Sequence, residues 1–234
     1  PEALTDRRPG EGVCAPAMPI RPAGLELQSE GHAPFPSLNA LKSEGARGAL
    51  LHAFANHELL AIELMGMALL RFPDAPADYR LGLARTLCEE QDHLSLYLGR
   101  MQELGVELGD SPLSAYFWRA MSSLETPLEF VAAMNLTFEQ ANLDHALAFS
   151  RALEAVGDPE TATILRRVHD EELGHVRHGL TWFDRWRDTS VDRWDAYRKI
   201  LPAPLSPNRA KGEPFNAEGR GKAGLDAEFI DELF

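Results

Sequence analysis

Six side chains in this sequence have the types and the spacing to hold metal. Glu90 and His93 stand three residues apart, and Glu172 and His175 repeat the interval. On an α-helix this spacing puts both side chains on one face, one turn apart. A carboxylate oxygen and an imidazole nitrogen stacked that way can ligate one transition-metal ion. A lone acid precedes each pair: Glu58 lies 32 residues before Glu90, and Glu139 lies 33 before Glu172.

The two halves keep register with each other. Glu58 to Glu139 is 81 residues, while Glu90 to Glu172 and His93 to His175 are both 82. Glu63 and Asp144 follow the same offset, 81, and Glu89 and Glu171 follow 82. Two helix hairpins, each giving a Glu and then Glu-x-x-His, make the ligand set of a four-helix bundle that holds two metal ions. By position in the repeat, Glu90 and Glu172 would bridge the ions, with Glu58 and Glu139 terminal.

Four long helices are expected to carry these residues. The first should run from Ser43, as N-cap, to Phe72, where Pro73 stops it. Glu58 falls on its stripe of Leu51, Phe54, Ile62, Met65 and Leu69, where a carboxylate is costly unless paired, protonated or metal-bound. The second spans 77–104, with Gly105 behind it, and aligns Leu83, Thr86, Glu90, His93, Tyr97 and Leu104. A long crossover with a short helix over 112–121 leads to the second half. Thr126, Pro127 and Glu129 have the signature of a capping box opening the third helix, which should continue to Val156. Asp158-Pro159 opens the fourth, with Leu165, Val168, Glu172, His175, Gly179 and Trp182 on one face. Short helices are expected over 190–201 and 226–233.

The expected fold is therefore all-α: a four-helix bundle over 43–188 with a long crossover between its hairpins. Residues 1–42, rich in Pro and Gly, form an extended arm, and 189–234 form a C-terminal helix and wrapping tail.

Neighbouring polar residues admit several roles. Glu63, among Leu59, Leu60, Met67 and Leu70, rivals Glu58 as first-helix ligand. Asp144, beside Gln140 and Arg151, reads as solvated. Glu89 and Glu171 either accept hydrogen bonds from the ligand histidines or lie on a hydrated helix edge. Asn135 and Asn142 either line a substrate pocket or make polar contacts between helices. His32, His52, His57, His145, His169 and His178 read as ordinary surface or core residues, with His57 and His178 nearest the site by spacing. Cys88 reads as a packed thiol.

Apolar residues make up 44% of the 234, as in a globular protein, and the net charge of −13 argues against broad binding to a nucleic-acid backbone. Cys14 and Cys88 form no paired motif, which points to a reducing compartment and a cytoplasmic location. The longest apolar runs are too short to span a bilayer, so no membrane association is expected.

At these residues the chain resembles the ferritin-like superfamily of carboxylate-bridged di-iron proteins, over about residues 50–186. Within it, His57-Glu58-Leu59-Leu60-Ala61-Ile62-Glu63, Asp170-Glu171-Glu172-Leu173-Gly174-His175 and Pro214-Phe215-Asn216-Ala217-Glu218 are similar to an uncharacterised bacterial branch. That branch, known as a domain of unknown function, looks related to the tRNA hydroxylase acting on methylthio-isopentenyl adenosine. The resemblance implies two iron ions, with manganese as the alternative, and an O₂-activating oxidoreductase or hydroxylase. It further implies an external electron donor and a small-molecule or modified-nucleoside substrate, and admits a homodimer. Iron storage with ferroxidase action, and a metal-free helical scaffold, are the competing readings.

Overall fold

The computed structural model describes residues 5, 7–11, 16–28 and 35–234; Cys14 and His32 lie outside them. The described chain is all-α apart from two two-residue strands, as the periodicity requires. It folds as two compact units, one ending at Ser122 and the other beginning at Ser123. The division falls within the crossover, where composition alone marks no break.

The first unit is built on a hairpin of α1 (Glu44–Arg71) and α2 (Ala77–Glu103). Ser43 caps α1 by accepting from the Ala46 N–H at 3.1 Å. Gly105 takes φ +67° just past α2, which lets the Val106 N–H reach the Met101 carbonyl. α1 buries more than one stripe. Leu50, Leu60, Leu64 and Met67 are buried as well as Leu51, Phe54 and Met65, while Ile62 and Leu69 are only half-buried. It is long and apolar enough to cross a membrane by length and composition, but 56% of its most apolar stretch is buried within the protein.

The arm does more than wrap. Leu41 is fully buried, and β1 (Leu27–Gln28) pairs in parallel with β2 (Leu113–Ser114). β2 occupies the start of the expected crossover helix, so α3 covers only Tyr116–Met121. Trp118 of α3 is buried and donates its indole N–H to the Ala17 carbonyl.

In the second unit Thr126 and Glu129 form the expected capping box of α4 (Pro127–Ala133). The expected continuous third helix is interrupted. Residues Met134–Glu139 form a π-helical turn before α5 (Gln140–Ala155). A wider turn displaces the ordinary ladder, and the Thr137 hydroxyl donates to the Ala132 carbonyl at 2.8 Å. Asp158 caps α6 (Pro159–Trp186) through the Thr161 N–H.

The tail is more regular than its Pro and Gly content suggests. It holds α7 (Arg193–Ile200), a 3₁₀ turn at Pro207–Ala210, α8 (Ala217–Ala223) and α9 (Ala227–Leu233). Trp194, Tyr197 and Phe229 pack ring against ring, with centroids 5.2–5.8 Å apart.

Candidate metal centre

In the first unit α1 and α2 bring Glu58, Glu90 and His93 together. One donor atom from each lies within 4.8 Å of the others, and the residues are 4%, 1% and 0% exposed. His93 Nδ1 stands 3.3 Å from Glu90 Oε2, as the i, i+3 spacing requires. In the second unit the π turn and α6 do the same with Glu139, Glu172 and His175. Donor atoms of Glu139 and His175 lie within 4.8 Å, and His175 Nδ1 stands 3.2 Å from Glu172 Oε2. All three are buried.

Both triads fit a metal ion. Oxygen and nitrogen donors bind ions of this kind at roughly 2.0–2.2 Å, so two donors in adjacent positions are about 3 Å apart and opposite ones about 4.2 Å. Separations of 3.2–3.3 Å within each Glu–His pair, with Glu58, Glu90 and His93 inside 4.8 Å of one another and Glu139 likewise near His175, need only a small closure to share an ion. Two carboxylates and one imidazole also suit a divalent ion in charge and softness. Each buried Glu/His cluster could thus hold metal.

Glu58 rather than Glu63 belongs to the first triad. Glu63 is gripped from the arm by Arg21, whose Nε and Nη2 donate to its two carboxylate oxygens at 2.7 and 2.6 Å. Asp144, expected on a solvated face, is instead fully buried. Arg220 of α8 donates to both its oxygens at 2.6 and 2.8 Å, and the Gly212 and Asn216 N–H groups add two more bonds. A buried carboxylate survives there because a guanidinium fork and two amides replace its water. Arg220 also lies over the Phe215 ring and donates to the Ala210 carbonyl. The conspicuous Pro214–Glu218 stretch is therefore part of a clamp.

Glu89 is exposed, and Glu171 pairs with Arg167 one turn away at 3.0 Å. Both occupy the hydrated edge of their helices.

Asn135 and Asn142 serve the second triad directly. Asn135 Nδ2 donates to Glu139 Oε2 at 2.5 Å and to the His175 carbonyl at 3.2 Å. Asn142 Nδ2 donates to Glu172 Oε1 at 2.8 Å. Gly179 makes room for this: a Cβ there would sit 2.0 Å from that of Asn135. A glycine in the middle of a buried helical stripe was the available signal, since Gly weakens a helix unless something must come close.

The other histidines divide. His57 stacks between Phe35 and Phe117, with centroids 6.2 and 4.7 Å away. His52 Nε2 accepts from the Gly109 and Ser111 N–H groups, and burial lowers its pKa. His169 meets Asn216 and Asp170. Burial, with Arg209 and Arg220 nearby, lowers His145 despite the Asp144 charge. His178 is pushed down to about 4, first by burial and then by the neighbouring His175. Cys88 is half-buried and unbridged.

A family profile described as "Protein of unknown function (DUF455)" matches residues 3–231. A curated relative, an uncharacterised protein of Haemophilus influenzae, is 30% identical over 149 residues, which is 60% of this chain and 52% of the relative. The chain thus spans about half the length of that relative. No solved structure matches the chain.

Proposed function

The chain belongs to the DUF455 family, and for this member of it we propose an O₂-activating di-iron oxidoreductase or hydroxylase. Glu58, Glu90, His93, Glu139, Glu172 and His175 would hold the two irons. The observation that carries this reading is the doubled triad: the same three donors, buried, at the same register in two hairpins. The proposal extends to a ferritin-like four-helix bundle related to the tRNA hydroxylase. It also includes an external electron donor and a small-molecule or modified-nucleoside substrate.

Two ferrous ions bound at the triads would supply the two electrons that start O₂ reduction. The protein's own part is positional. The Glu-x-x-His spacing fixes each carboxylate beside its imidazole, and burial keeps bulk water from the donors. Asn142 holds Glu172 Oε1 and leaves Oε2 toward His175, while Asn135 ties Glu139 to the backbone of α6.

The test begins with metal analysis of protein purified without added metal. Anaerobic Fe(II) should then load to about two per chain and raise the melting temperature over the metal-free form, because the unfolded chain has no such site. Exposure to air should change the iron absorption and consume O₂. Folded protein that takes up neither Fe(II) nor Mn(II), and melts identically with and without them, would overturn the proposal in favour of a scaffold. Uptake of many irons per chain would overturn it in favour of storage.

A further inference from the structure

The wide turn that interrupts the third helix is gripped from the tail. Glu139, a candidate ligand, is the last residue of that turn. Thr137 sits inside it, fully buried, and its hydroxyl donates to the Ala132 carbonyl at 2.8 Å. The Tyr197 hydroxyl of α7 lies 2.7 Å from the same Thr137 oxygen. A threonine hydroxyl has one proton, here given to Ala132, so Tyr197 is the donor of the second bond. Burial raises the Tyr197 phenol above its ordinary value, which keeps that proton in place.

Tyr197 is well fixed for this. Its side chain is fully buried against Phe183, Trp194 and Phe229, with centroids 5.2–6.5 Å away. α7 is itself moored to α6, where Arg193 donates to the two Asp184 oxygens at 3.0 and 2.7 Å. A polar relay thus runs from the tail through Thr137 to the Ala132 carbonyl. Nothing in the local sequence breaks an α-helix here, and π turns are rare. Closing the turn to the α register would rotate Glu139 against α4 by about 100°, the step of one residue.

We propose that Tyr197 and Thr137 are positioning residues for Glu139, holding open the wide turn that sets this carboxylate beside His175. The geometry rests on the hydrogen bonds, and its purpose rests on the metal-binding reading above. Groups that orient a ligand without touching the metal commonly control affinity by ~10–100-fold.

The test uses folded, metal-free full-length protein, read by amide hydrogen exchange over residues 134–139 and by anaerobic Co(II) titration. Thr137→Val keeps the shape and removes the central oxygen of the relay. It should speed exchange in the turn by roughly 3–10-fold, as one lost hydrogen bond predicts. It should also weaken Co(II) binding by ~10-fold or more. Thr137→Ser returns the hydroxyl and should restore both. Tyr197→Phe deletes only the phenol oxygen and should move both readouts the same way, by about 3-fold. Phe229→Leu loosens the same aromatic cluster without touching the relay. It should lower the melting temperature and leave turn exchange and Co(II) affinity near wild type. If Thr137→Val fails to fold, Tyr197→Phe decides, because its ring packing is kept. Unchanged exchange and affinity in Tyr197→Phe, or an equal loss of affinity in Phe229→Leu, would overturn the inference while leaving the metal centre standing. Wild-type protein that binds no Co(II) would overturn both.

Discussion

The two hairpins carry the same candidate ligands in unlike surroundings. One packs Phe54 on Tyr97, and the other ties Asn135 past Gly179 to Glu139. Yet five residues beyond each lone Glu the hairpins agree again. Glu63 takes a bidentate arginine from the N-terminal arm, and Asp144 takes one from the C-terminal tail. The register thus fixes two things, the donors and a docking point for each terminal extension, and leaves free how the donors are supported. Metal chemistry constrains the donors tightly, because few residue types can ligate. Many kinds of packing can orient them.

The largest effect should come from breaking one clamp and then the other. Arg220→Met leaves Asp144 charged and buried, which should cost about 3–5 kcal/mol in denaturant unfolding. Arg21→Met should cost less, about 1–3 kcal/mol, since Glu63 retains some contact with water. Equal losses would mean that the tail clamp is no more buried in effect than the arm clamp.

Next comes the Asn–Gly contact. Gly179→Ala places a methyl against Asn135 and should cost about 1–3 kcal/mol by overpacking, with lower metal content. Pairing it with Asn135→Ala should recover much of the stability and none of the metal content. A double variant no more stable than Gly179→Ala alone would show that the glycine serves something other than Asn135.

A smaller difference concerns acid. His178 titrates at about 4 in the folded protein, against an ordinary value of 6.5. Between those values the unfolded chain binds a proton that the folded one refuses. Stability should therefore be full above pH 6.5 and fall as the pH drops toward 4. His178→Phe should flatten part of that slope, as read from melting temperature against pH.

The smallest effects are expected at Glu89 and Glu171. Glu171→Gln removes an i, i+4 pair with Arg167 worth about 0.3–0.5 kcal/mol. Glu89→Gln, on an exposed face, should change stability still less. A tenfold loss of Co(II) affinity in either variant would instead make it an acceptor for a ligand histidine.

Much of this molecule was legible in order along the chain. Ser43, the Thr126–Glu129 box, Asp158 and Gly105 marked helix ends because capping is settled within a few residues. Glu90–His93 and Glu172–His175 were legible because a helix turns by a fixed angle per residue. The π turn escaped, since an apolar stripe barely registers one wide turn. Of the tail helices, α7 and α9 fall within the stretches expected to be helical, and α8 escaped because it is only seven residues long and owes its stability to packing.

By itself, then, the sequence determined most of the helices and the six candidate ligands, all consequences of local geometry and an internal repeat. Only the tertiary structure decided which buried acids join a triad and which meet an arginine. Arg21 and Glu63 are 42 residues apart, and Arg220 and Asp144 are 76. No periodicity relates partners at such distances. A carboxylate on an apolar stripe must find some cation or donor, and which one it meets depends on where the rest of the chain packs.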